Sequence, residues 1–183
     1  MIDIKIRTKQ KRINRPRIIL SPIKKDDLKK LFEWINNPDL VKLSNSYRPI
    51  SWQEHMKWWG KISKDKSTSI FGIRSKDDRI IGCCKLTKIN RIYRSAELQI
   101  RIGDRRFLSK GYGTEAVGLL LRHAWKYLKL KRVSCFVFED NRRAIRSYIK
   151  AGFNVEGIMR KAACIDGIYK DIVIMGILKD KNL

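Results

Sequence analysis

Acidic residues are scarce in this 183-residue chain: 18 Asp and Glu stand against 42 Lys and Arg, a formal net charge of +24. Such an imbalance excludes an acidic, cation-collecting surface. It implies attraction to polyanions such as RNA, ribosomes, acidic lipid or phosphorylated ligands, without choosing among them. Histidine is scarcer still, with only His55 and His123, and the four cysteines (Cys83, Cys84, Cys135 and Cys164) show no C-x-x-C spacing. No metal site is therefore expected, and the cysteines read as buried free thiols in a reducing compartment. No apolar run reaches the roughly eighteen residues of a membrane span, and Met1–Pro16 is too polar for a signal peptide, so a cytoplasmic location is expected. Repeats and linkers are lacking, which predicts a basic arm over 1–16 and one domain over 17–183. A Walker loop is absent, because no Gly-Lys-Ser/Thr occurs.

What is present centres on Ala96–Gly118. Ala96, Leu98, Ile100 and Ile102 alternate with Glu97, Gln99 and Arg101, the period of a half-buried strand. Ala116, Leu119, Leu120, Ala124 and Leu128 then recur at helical steps. Between the two lies Lys110-Gly111-Tyr112-Gly113-Thr114. Glycines just before a helix let successive amides converge, and the helix N-terminus adds partial positive charge, so the turn suits a pyrophosphate. Gly111, Gly113 and Ala116 also match Gly-x-Gly-x-x-Gly/Ala, but Gly103–Lys110 separate them from the strand that a dinucleotide fingerprint requires.

In order along the chain, the pattern predicts a strand at 17–20, a helix over 26–36 capped by Asp26, and an irregular loop over 38–50. A capping box at Ser51-x-x-Glu54 opens a second helix, to about Lys61. Trp34, Trp52, Trp58 and Trp59 crowd this region and read as core. Strands over 68–74, 80–89 and 95–102 form an antiparallel meander. The glycine helix, about 113–129, crosses to a strand over 132–138 that reads as parallel to the one before it. Asn141 caps a further helix, Gly152 ends it, and 153–164 and 168–178 form a hairpin around Asp166-Gly167.

Two signatures carry a family resemblance. Gly111-x-Gly113 follows a strand and a basic loop, with Glu97 fourteen residues before it. Asn141-x-x-Ala144-x-x-x-Tyr148-x-x-x-Gly152-Phe153 follows the next strand. Together, in this order, they resemble the GNAT N-acyltransferase superfamily over about 18–178, in particular its RimJ/RimL-type branch. Leu108 stands where the family's loop carries Gln or Arg. The resemblance implies an α+β fold: a single mixed, mostly antiparallel central sheet of six to seven strands flanked by about four helices. It also implies direct acetyl transfer from acetyl-CoA, the co-substrate, to an amine. Lys110, Gly111, Tyr112, Gly113 and Thr114 would then hold the coenzyme phosphates. A backbone N–H among Ile100, Arg101 and Ile102 would face the thioester oxygen, and Asn141 belongs with the coenzyme-binding set. Tyr148 is the expected acid and Glu97 the expected base.

The acceptor is less determined. Arg94–Ile100 looks like the polyamine acetyltransferases, whereas Trp34-x-Asn36-x-Pro38 with Pro49–Ser51, His55 and Trp58 looks like nucleotide-linked amino-sugar acetyltransferases. A polycation would be repelled by so basic a chain, which favours an anionic amine. Asn45, Tyr47 and Arg48 are candidate contacts to its phosphate or hydroxyls. Peptide N-termini and spermidine stand as alternative acceptors, and a basic RNA- or ribosome-binding module on the same fold is the non-enzymatic alternative. The oligomeric state is left between monomer and homodimer.

Overall fold

A computed structural model of the chain describes residues 16–42 and 48–179. All but Pro16 of the expected basic arm lies outside these residues, as do Asn45 and Tyr47. The elements run β1 (Ile18–Ser21), α1 (Asp27–Ile35), α2 (Pro38–Val41), α3 (Trp52–Ile62), β2 (Ser69–Ser75), β3 (Ile80–Asn90), β4 (Ser95–Ile102), a 3-10 turn (Arg105–Phe107), α4 (Tyr112–Lys126), β5 (Arg132–Phe138), α5 (Arg142–Lys150), β6 (Asn154–Ile165) and β7 (Ile168–Leu178). One seven-stranded sheet has the order β1-β2-β3-β4-β5-β7-β6. Every neighbouring pair is antiparallel except β4 and β5, which are parallel.

The sheet's two faces are covered differently. On one, α4 buries Ala116, Val117, Leu120, Leu121 and Ala124 against Leu86, Ala96, Leu98, Val133 and Met175. On the other, Leu28 and Leu31 of α1, Trp34 and Leu40 gather against Ile80 and Cys83. Strand alternation makes this division: Cys84 and Leu86 point into the first cluster, Cys83 and Lys85 away from it.

Local chemistry accounts for most element ends, with a few departures from expectation. The capping box is present: Ser51 Oγ accepts Glu54 N–H at 3.2 Å and Glu54 accepts Ser51 N–H at 2.7 Å. Asp26 sits at the N-cap of α1 but its side chain caps nothing. Asp27 secures that end instead, accepting the Lys24 N–H at 2.7 Å. The expected loop over 38–50 begins as helix α2, because Asn37 accepts two amide protons from the first turn and Pro38 presets its entry. The described residues thus hold five α-helices. In the β6–β7 turn, Asp166 and Gly167 both have positive φ, as a tight hairpin requires.

Two burial expectations are corrected. Trp34 is core, but Trp52 and Trp58 remain 43% and 36% exposed on either side of His55, with Trp58 stacked on that ring and Trp52 edge-on to Phe32. Cys84 and Cys135 are buried, yet Cys164 is exposed because it lies on β6, the sheet's edge.

The helical layer of α1 is tied to the sheet by a buried ion pair. Arg74 of β2 reaches Asp27 at 2.5 Å and also donates to Ser21 Oγ and to the Asp78 carbonyl, each at 2.9 Å. With every guanidinium nitrogen engaged, the pair is held in a region where an unpaired charge is costly. Asp27→Ala is expected to lower unfolding stability by about 3–5 kcal/mol, read from the denaturant midpoint. A loss under about 1 kcal/mol would mean the Arg74 charge is not isolated by burial.

Candidate active site

The site begins where two strands part. β4 and β5 pair only at Ser95–Arg132, Ala96–Val133 and Glu97–Ser134. Both strands continue, to Ile102 and Phe138, without pairing to each other. On its other side β4 remains paired with β3 as far as Ile102. Alternate residues of a strand direct their amides to opposite neighbours, so half the N–H and C=O groups from Leu98 to Ile102 face the gap. The side chains of Ile100 and Ile102 pack on the α4 cluster. Arg101 lies across from Cys83 on the opposite face, so it shares with its neighbours only a backbone position at the gap.

Next to the gap, the glycine loop enters α4. Gly111 occupies the left-handed region, with φ of +84°, and is the N-cap residue. Having no side chain, it leaves the first amides of α4, at Tyr112, Gly113 and Thr114, uncapped by any side chain. These are the features a pyrophosphate needs: convergent N–H donors, the helix dipole and no β-carbon in the way. Gly113 is different, being helical, and a β-carbon there would meet Ser147 Oγ at an ordinary 3.6 Å.

Arg17 holds this loop, which the sequence did not reveal. Its guanidinium donates to the Lys110 carbonyl at 3.2 Å, pairs with Glu115 at 2.9 Å and lies 4.4 Å over the Tyr112 ring. Tyr112 is in turn packed edge-on to Phe107. A cation thus reaches this loop from just before β1 rather than from position 108. One arginine among so many basic residues carries no sequence signal of this kind. Ser147 is the other residue missed: its hydroxyl meets Thr114 Oγ1 at 2.8 Å and joins the start of α4 to α5.

Tyr148 follows on α5, only 6% exposed and stacked near Phe153. Burial, reinforced by the Cys135 thiol, pushes its phenol well above the ordinary range, so it stays protonated. Burial likewise pushes Cys135 up to about 12, which keeps that thiol neutral on the diverging part of β5. Asn141 directs its Oδ1 to the Ala144 N–H at 3.1 Å, capping α5.

Glu97 lies on the other face of the sheet from Tyr148. It lines an open cleft of about 520 Å³ with Thr87, Lys88, Gln99, Phe136, Met159 and Ile172. Lys88 donates to it at 2.8 Å. The acid and base expected from sequence are therefore not side by side; the parted strands lie between them. Arg48, the described part of the proposed acceptor loop, is paired with Glu54 at 2.7 Å. Asn36 holds the returning chain by two hydrogen bonds to Ile50. Among the described residues, no group of three His, Cys, Asp or Glu could hold a metal ion, and no helix is long and apolar enough to cross a membrane.

A mixed sheet opened between two parallel neighbours, with a bare helix start beside the opening, defines an acyl-coenzyme A N-acyltransferase. The chain belongs to the GNAT acetyltransferase family, whose domain matches residues 17–154. It is an N-acetyltransferase with acetyl-CoA as co-substrate. It is 27% identical to spermidine N(1)-acetyltransferase of Escherichia coli K12 over 164 residues, covering 90% of this chain and 87% of that protein. It is 26% identical to acetyltransferase PseH of Campylobacter jejuni over 129 residues, covering 70% of this chain and 78% of that protein. The crystal structure of Vibrio cholerae spermidine N-acetyltransferase with CoA and spermine superposes with a TM-score of 0.84 at 26% identity, covering 90% of this chain and 96% of that one.

The two glycines should respond differently. A β-branched side chain at a left-handed position costs about 1–3 kcal/mol, so Gly111→Val is expected to weaken coenzyme A binding about tenfold or more. Gly113→Ala meets only van der Waals contact and should stay within about threefold of wild type. Calorimetric titration of the folded variants measures both; equal affinities for wild type and Gly111→Val would remove the loop from the binding site.

Proposed function

We propose that the acetyl acceptor is a primary amine on an anionic carrier, in the first instance a nucleotide-linked amino sugar. We place the enzyme in the RimJ/RimL-type branch and in the cytoplasm. The observation that carries the acceptor reading is the charge lining the cleft. Its carboxylate, Glu97, is already engaged by Lys88. A polyamine with several ammonium groups calls for several free carboxylates, whereas one amine on an anion calls for one carboxylate among cations. The likeness to spermidine N-acetyltransferases supports the polyamine as second reading.

Acetyl-CoA supplies an activated acetyl thioester. The amides of Tyr112–Thr114 bind its phosphates, with Arg17 and Lys110 setting the loop. A free N–H of the β4 edge at Ile100–Ile102 donates to the thioester oxygen as charge builds there. Glu97 takes the proton of the attacking amine. For an amine of pKa about 10.4, deprotonation at pH 7 costs roughly 4–5 kcal/mol, and for one near 7.8 only about 1, so the demand on Glu97 depends on the acceptor. Tyr148 gives its proton to the leaving thiolate. In water a phenol near 10 and a thiol near 8.5 make that transfer uphill by about 2 kcal/mol; burial raises the Tyr148 phenol further, so the transfer needs a leaving thiolate that is desolvated at least as strongly.

Tyr148→Phe is expected to lower kcat by about 10²–10⁴-fold while coenzyme A affinity stays within about threefold. Because Tyr148 is held protonated, wild-type kcat should show no alkaline fall below about pH 10. Wild-type turnover by the variant would reduce Tyr148 to packing.

The acceptor is tested by ionic strength at saturating acetyl-CoA. Screening over roughly 8–10 Å weakens capture of an anionic acceptor and relieves repulsion of a polycation. The kcat/KM for a nucleotide amino sugar should therefore fall as salt rises. Efficient turnover of spermidine with none of any nucleotide amino sugar sinks the reading.

A further inference from the structure

The cleft floor extends beyond Glu97. In the β3–β4 register, Thr87 faces Glu97, Lys85 faces Gln99 and Cys83 faces Arg101. Cross-strand partners share a face, so these three pairs form one row running from the cleft toward α3. Successive positions in that row are about 6.5–7 Å apart, which puts Lys85 one step from Glu97. Lys85 is half-buried, and its ammonium sits 5.8 Å over the Trp58 ring. Among the described residues it has no hydrogen bond and no carboxylate partner. Burial lowers its affinity for a proton, with the Cys83 thiol and the Arg101 guanidinium as its titratable neighbours.

A half-buried ammonium without a counter-ion is a cost that packing does not recover. A methionine of the same length would fill the space better. Such a residue makes sense where an anion arrives with the ligand.

We propose that Lys85, backed by Trp58, binds a phosphate of the acceptor while the acceptor's amine sits at Glu97. One sugar ring spans the step between the two positions. The inference rests on the anionic-acceptor reading and deepens it: it names the group that recognises the anion. The same ammonium sets specificity, since a polyamine threaded past Glu97 would bring its next cation against Lys85.

The test uses uridine diphosphate as the probe, titrated calorimetrically into the full chain saturated with coenzyme A, so that the glycine loop is occupied. Uridine diphosphate is expected to bind, and Lys85→Met to weaken it about tenfold or more, the loss of one charge-assisted hydrogen bond. Lys126→Met, an exposed cation at the end of α4, should leave binding within about twofold. Lys85→Met should also keep or raise the thermal midpoint, a result that a structural lysine would reverse. No binding of the probe to wild type, equal binding by Lys85→Met, or equal losses in both variants would overturn the proposal. Acetyl transfer to an anionic amine is assayed in parallel. Its absence alongside Lys85-dependent binding overturns the acceptor reading; its presence without such binding overturns only the role of Lys85.

Discussion

The site depends on a short parallel pairing. Three residue pairs hold β4 to β5, and past Glu97 and Ser134 the strands separate. Backbone amides and carbonyls left without strand partners in the middle of a sheet are costly unless water or a ligand meets them. The fold accepts that cost at one place and fixes the exposed edge of β4 from behind. Gly82 lets β3 come so close that any β-carbon there would strike the Arg101 carbonyl. Gly103, at the end of β4, lies under the Trp34 indole, where a side chain has no room. Ile81 accepts both the Gly103 and Asp104 amides. The edge of β4 along the gap is thus backed by packing on one side and open on the other.

Charge is distributed around this opening by elements far apart in the chain. Arg17 arrives from just before β1, Lys85 and Lys88 from β3, and Glu97 from β4. Among the described residues, a few cations are placed against one loop or one cleft. The two sides of the sheet then divide the candidate residues. The glycine loop, Ser147 and Tyr148 belong to the α4–α5 side, while Glu97 and Lys85 belong to the side that faces α1–α3. The strand gap connects them.

Much of the fold is legible in local pattern. The capping box at Ser51, the Asp166-Gly167 turn and the strand over 132–138 form where short-range chemistry puts them, because caps, turns and alternation are decided by neighbours in sequence. The misses have equally local causes. Asn37-Pro38 starts a helix within the stretch that reads as loop, because the Asn37 side chain caps a new turn directly after α1 ends. Trp52 and Trp58 read as core on hydrophobicity alone, but α3 carries them 43% and 36% exposed among the described residues. Cys164 was assigned inward by composition, whereas an edge strand has no layer to bury it.

The sequence by itself determined the glycine turn, the helix that follows it and the order of strands, since each is a matter of backbone freedom and periodicity within a few residues. It also determined the family, because two spaced signatures were present. Only the tertiary structure decided that β4 and β5 stop pairing at Glu97, that Arg17 reaches the loop from 93 residues away, and that Tyr148 and Glu97 lie on opposite faces. It also decided that Lys85, with no carboxylate partner among the described residues, stands one step along the row from Glu97. The physical reason is the same in each case: parallel pairing, burial and ion pairing are interactions between segments, and periodicity within a segment says which face a residue takes but not what will be opposite it.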